Sequence, residues 1–146
     1  MKFLVFSMSN LNFQSYIIIL VLLTLALCNS GVVAGPKYHV QVFSGLSNNN
    51  NLEIHCRSKD DDLGRHELPW SAEFTWSFRM DILGTTVFWC DMNWANGHGS
   101  FNVFWNDGGF LHKCNYKNCI WVAQDDGLYL DDIPASKYDL MYTWEK

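Results

Sequence analysis

The sequence has 146 residues, 17% of them charged and 16% aromatic, with 10 Lys plus Arg against 15 Asp plus Glu for a formal charge of −5. This length fits one domain with a modest core, and the acidic balance disfavours a nucleic-acid partner, whose phosphates call for Lys and Arg. No run of basic residues points to a membrane surface.

Lys2 precedes an apolar run, Ile17 to Leu27, that only Thr24 interrupts; it is about half the roughly twenty residues a membrane-spanning helix needs. Small residues follow at a small-x-small spacing twice, as Cys28-Asn29-Ser30 and as Val32-Val33-Ala34. The expectation is a secretory signal peptide over residues 1–30, cleaved as late as 34, ahead of one domain over residues 35–146. The product is expected to be secreted and extracellular, with no membrane insertion after cleavage. Lys2 is the only charge in the leader, so the mature chain carries nine cations against fifteen carboxylates, a charge of −6. Cys28 leaves with the leader, and Cys56, Cys90, Cys114 and Cys119 remain. Four cysteines in a small secreted domain read as two disulfides. Zinc is disfavoured, because no Cys-x2-Cys pair exists and the compartment is oxidising.

Val40 and Val42 begin the first strand, and Ser44-Gly45 with the Asn48 to Asn51 run make a polar loop. Leu52, Ile54 and Cys56 then alternate with Glu53, His55 and Arg57, the period of a strand with one buried face. A charged loop is expected from Asp60 to Glu67, with Leu63-Gly64 as an apolar anchor beside a residue tolerant of unusual backbone angles. Phe74, Trp76, Phe78 and Met80 face inward against Glu73, Thr75, Ser77 and Arg79. Gly84 to Cys90 is β-branched and aromatic on both faces, as a central strand is, and Asn93 to Gly99 is expected to be a loop.

Phe101, Val103 and Trp105 form the next inward set, and Asn106 to Gly109 carries a hairpin-turn signal. Cys114 and Cys119 bracket a four-residue tip, Ile120 to Ala123 returns from it, and Asp125-Asp126-Gly127 turns again. Leu128 with Leu130, then Leu140, Tyr142 and Trp144, complete the pattern. The fold class is all-β, a small antiparallel β-sandwich of about eight strands with two disulfides. Inward parity pairs Cys56 with Cys90 across the sandwich, and the short tip pairs Cys114 with Cys119.

His39, His55, His66, His98 and His112 are scattered, and no Gly-x-Ser-x-Gly elbow, His-Glu-x-x-His or phosphate loop accompanies them. An enzyme is not expected, nor any cofactor. Asp60, Asp61 and Asp62 lack the alternating acids and closing Glu of a calcium loop, so they read as turn-forming carboxylates paired with Arg57, Lys59 and Arg65, and no metal site is expected.

Four stretches resemble the plant self-incompatibility S-protein homologue family across nearly the whole mature chain. They are His55-Cys56-Arg57-Ser58-Lys59-Asp60-Asp61-Asp62-Leu63-Gly64, Gly84-Thr85-Thr86-Val87-Phe88-Trp89-Cys90, Cys114 with Cys119-Ile120-Trp121, and Asp126-Gly127-Leu128-Tyr129. The resemblance implies a secreted β-sandwich with two disulfides. For the founding members it implies a stigma-secreted ligand that lets a plant reject its own pollen through a pollen-surface receptor. Many relatives carry an N-glycosylation sequon, whereas no Asn-x-Ser/Thr occurs here. The partner expected is an unidentified cell-surface receptor protein, met by a monomer. Recognition is expected from Asp60, Asp61, His66 and Glu67 of one loop and Asn93, Asn96 and His98 of the other, because loops on a rigid scaffold are where recognition usually sits. The alternative is an extracellular carbohydrate-binding or defence protein, with Trp70, Trp94 and Trp105 as candidates to stack on sugars.

Overall fold

The computed structural model describes residues 12–28 and 34–146, in two units divided after Ala34. The first holds helix α1, Phe13–Cys28, which is dominantly apolar; the Asn12 side chain caps it by accepting from the Ser15 amide at 3.0 Å. Among the described residues, no helix is long and apolar enough to cross a membrane. Lys2 and the small-residue segment 29–33 expected at the cleavage site lie outside the described residues.

The second unit runs β1 (Lys37–Ser44), β2 (Leu52–Arg57), β3 (Asp62–Leu68), β4 (Glu73–Arg79), β5 (Phe88–Trp94), β6 (Gly97–Phe104), α2 (Gly108–Lys113), β7 (Asn118–Gln124), β8 (Gly127–Asp132) and β9 (Lys137–Thr143). The strands form a five-stranded sheet in the order β4-β1-β7-β8-β9 and a four-stranded sheet in the order β3-β2-β5-β6. Strict alternation sends one set of side chains from each sheet into a shared core: Val40 and Val42 from β1, Leu52 and Ile54 from β2, Phe88 and Met92 from β5, Leu128 and Leu130 from β8. Trp121, with no exposed surface, sits among them and donates its indole N–H to the Val103 carbonyl at 2.9 Å, a bond that joins β7 of one sheet to β6 of the other.

The topology differs from an all-antiparallel sandwich at one place, since β1 and β7 pair in parallel. Cys56 and Cys90 are bonded, as are Cys114 and Cys119, but neither bond has the setting the sequence suggests. Cys56 and Cys90 face each other on adjacent strands of the same sheet, with Cα atoms 4.0 Å apart, rather than across the sandwich. Cys114 is the C-cap of α2 and Cys119 lies in β7, so their bond closes a helix-to-strand turn and not a hairpin tip.

Asn106 to Gly109 makes no hairpin either. Asp107 is the N-cap of α2, its carboxylate accepting from the Phe110 amide at 2.9 Å, and Phe110 and Leu111 anchor the short helix in the core. β5 starts at Phe88, so Gly84 to Val87 is loop, and Trp89 is half-buried on the outer face. Two register shifts overrule simple parity. In β6 Phe104 pairs with Phe88 while Asn102 pairs with Trp89, which leaves Val103 and Phe104 both buried and Trp105 half-buried against the Phe110 ring at 3.8 Å. In β9 Tyr142 pairs with Leu128 while Leu140 pairs with Tyr129, so Met141 is the extra residue and Leu140 faces solvent at 47% exposure. Finally, β4 is a sheet edge, and its inward set Phe74, Trp76, Phe78 and Met80 is half-buried rather than fully enclosed.

Candidate functional site

The outer face of the four-stranded sheet collects the polar half of each alternating strand. Strand register lays these residues out in rows: Glu67, Glu53, Asn93 and His98; Arg65, His55, Asp91 and Ser100; Asp62, Arg57, Trp89 and Asn102. Between His55 and Arg57 the β2–β3 register shifts, so that Leu63 and Gly64 together face Cys56; Gly64 adopts φ +77°, a backbone that favours glycine. The shift places Asp62 diagonally from His55, whose Nε2 lies 2.6 Å from Asp62 Oδ1. The Gly64 amide donates to the same oxygen at 2.9 Å. Those two contacts, the amide first, hold the Asp62 carboxyl below the usual carboxylate range.

Arg57 reaches diagonally to Asp91 and donates to its carboxylate. Asn93 donates to Glu53 at 3.3 Å, and Asn51 to Glu67 at 2.6 Å. Between β3 and β5 lies a groove of about 330 Å³, lined by Glu53, His55, Arg65, Glu67, Asp91 and Asn93. These groups offer fixed charges and hydrogen bonds for recognising a polar surface. Among the described residues, no group of three His, Cys, Asp or Glu is arranged to hold a metal ion.

The residues expected in two recognition loops are distributed differently. Only Ser58 to Asp61 is a turn, closed by the Ser58 amide on the Asp61 carbonyl at 2.8 Å and by the Asp61 amide on the Ser58 hydroxyl at 3.0 Å; it presents Asp60 and Asp61 to solvent. His66 and Glu67 belong to β3, with the His66 ring stacked on Phe74 at 4.0 Å. Asn93 lies in β5 and His98 in β6, leaving only Ala95 and Asn96 as the turn between them. His98 also bridges backbone to backbone with Glu145, and its Nε2 lies 3.7 Å from the Glu145 carboxylate.

Glu67, Asn93 and His98 therefore share one row, with Asn96 beyond its end, whereas Asp60 and Asp61 stand at the opposite end of the sheet. This follows from β2 and β5 being antiparallel neighbours: the turn after Arg57 lies beside Phe88 and Trp89, and the turn after Trp94 lies beside Glu53. The residues not anticipated as part of the site are Glu53, His55, Arg57, Asp62, Arg65 and Asp91. Their signal was the outward parity of Glu53, His55 and Arg57. Of the aromatic residues considered for sugars, Trp94 is 7% exposed and Trp105 lies against Phe110, so Trp70, 63% exposed, is the one of the three that is open to solvent.

Residues 39–144 match the family model described as plant self-incompatibility protein S1. The chain is similar to S-protein homolog 1 of Arabidopsis thaliana, 45% identical over 109 residues that span 75% of this chain and 72% of that one. It is also 44% identical to S-protein homolog 74 of the same plant, with the same coverage. Self-incompatibility protein S1 of Papaver rhoeas is 35% identical over 98 residues, spanning 64% of this chain and 68% of that one. A solved structure shares the fold with a TM-score of 0.55 at 17% identity, covering 80% of this chain and 100% of its own; it is described as a self-incompatibility protein homologue, from a widespread family of small, highly stable, secreted proteins from plants.

Proposed function

Since this chain belongs to the plant self-incompatibility protein S1 family, we propose that it is made with a leader over residues 1–30, secreted, and acts as a monomeric extracellular ligand for a cell-surface receptor protein, in pollen rejection or a related cell-to-cell signal. The name of the Papaver rhoeas relative and the description of the solved homologue as secreted support this reading. The observation that carries it is the outer face of the four-stranded sheet together with the turn at its end. The hydrogen bond between His55 and Asp62 and the ion pair from Arg57 to Asp91 hold side chains in place there, while Asp60 and Asp61 make no ion pair among the described residues. Two free carboxylates at a rigid turn steer a basic partner and speed association at low salt.

The test is the folded, secreted protein carrying Asp60→Lys with Asp61→Lys, assayed for saturable binding to plant protoplasts at low and physiological ionic strength. Binding should weaken by about tenfold or more at low salt, and its salt dependence should flatten. Unaltered binding and salt dependence in a folded variant would remove this turn from the footprint.

A further inference from the structure

The loop between β4 and β5 exposes two aliphatic side chains that the outer-face site does not use. Ile82 is 99% exposed and Leu83 84%. Their flanks are not: Met80 packs against the core and Phe88 is buried within it. Side chains of this kind on a slack loop would mean little, since single exposed apolar residues are normal. This loop is braced. The Asp81 carboxylate accepts from the Thr85 amide and hydroxyl, both at 2.6 Å, and from the Thr86 amide and hydroxyl, both at 2.8 Å. The Asp81 amide donates back to the Thr86 hydroxyl at 2.9 Å. The Gly84 amide closes on the Asp81 carbonyl at 3.0 Å with φ +66°, and Asn106 donates to the Gly84 carbonyl at 3.0 Å. Asp81, Thr85 and Thr86 are thus spent on presenting Ile82 and Leu83 to solvent, and a surface fixed in advance loses little conformational freedom on docking.

Between this tip and the Ser58–Asp61 turn lies a groove of about 340 Å³ that Leu83, Asp60 and Asp61 all line. Lys59 and Arg79 stand there against Asp60, Asp61 and Asp81, an excess of one negative charge on a chain whose formal charge is −5. That balance repels an anionic membrane and favours a basic protein surface. We propose that Ile82 and Leu83 form the apolar anchor of the receptor footprint, seated in an apolar pocket of the receptor protein whose rim carries Lys or Arg side chains that meet Asp60 and Asp61. The anchor rests on the receptor reading and adds to it the chemistry of the partner. Apolar anchors surrounded by polar contacts are where binding energy concentrates in protein interfaces.

The test compares the wild-type protein with Ile82→Ser plus Leu83→Ser, both labelled, in saturable binding to plant protoplasts before and after protease shaving of the cells. Both side chains project into solvent, so the variant should keep its disulfides and its melting temperature. Its affinity should fall by about tenfold or more, and wild-type binding should disappear from shaved cells. A second variant, Asp81→Ala, keeps both aliphatic side chains but frees the loop, and should bind several-fold more weakly. Equal affinity of the wild type and the serine variant overturns the anchor while leaving the receptor reading standing. Wild-type binding that survives shaving and transfers to phosphatidylcholine–phosphatidylserine vesicles makes the occupant a lipid surface and overturns the proposal. Concentration-dependent self-association that the serine variant abolishes makes the occupant a second copy and overturns it equally. No saturable wild-type binding at all withdraws the receptor reading and the anchor together.

Discussion

Asp62 sits where two donors converge, the Gly64 amide and the His55 ring, and both favour its charged form. Its folded pKa lies below the unfolded value of about 3.9, so the carboxylate adds stability above that pH and loses the contribution as pH falls through the folded value. Asp62→Asn should therefore flatten the acid limb of a plot of melting temperature against pH below about pH 4, with little change in shape near neutrality. A limb identical to that of the wild type would assign the acid loss to other carboxylates. Asp81, Asp125 and Asp139 are each held low by side-chain hydrogen bonds first, from Thr85, Ser47 and Lys113 respectively.

Edge and centre decide what an aromatic side chain is worth in the strands. Trp121 is central, fully buried and hydrogen-bonded, so Trp121→Ala should cost about 3–5 kcal/mol. Trp76 lies on edge strand β4, half-buried against Phe88 at 5.6 Å, and Trp76→Ala should cost about 2 kcal/mol, below the range of a full core position. The Trp76 indole N–H is also buried without an acceptor, so Trp76→Phe should be close to neutral. Denaturant unfolding of the three variants checks the order, and a Trp76→Ala loss equal to that of Trp121→Ala would mean that β4 is enclosed. The inward parity of β2 and β4 was legible because each alternates large apolar with polar residues without interruption. β3 was not legible, since Leu68 is its one fully buried side chain and its strand character comes from pairing with β2. α2 is too short to show a helical period and announces itself only through Asp107 and the Phe110-Leu111 pair. The site was legible as far as the polar parity of β2. Which residues of β3, β5 and β6 share its rows depends on sheet order and on a register shift at Gly64, and no local pattern carries those.

Across the whole molecule, the two disulfides constrain the unfolded chain unequally, because one joins residues 34 apart and the other residues 5 apart. Loop-closure entropy makes them worth about 4 and about 2 kcal/mol. Replacing Cys56 and Cys90 by alanine should lower stability more than replacing Cys114 and Cys119, as read from unfolding midpoints, and the reverse order would show strain or residual structure outweighing loop length. The parallel pairing of β1 with β7 adds a constraint in time as well as in space. Val40 and Val42 lie opposite Cys119 and Trp121, so the first strand to be synthesised stays open along that side until some eighty residues more have been added. The five-stranded sheet cannot close on a growing chain. Its central strand, β7, is made only in about the last fifth of translation, a non-local pairing of the kind that makes β-rich domains slow to fold and dependent on protection until the chain is finished.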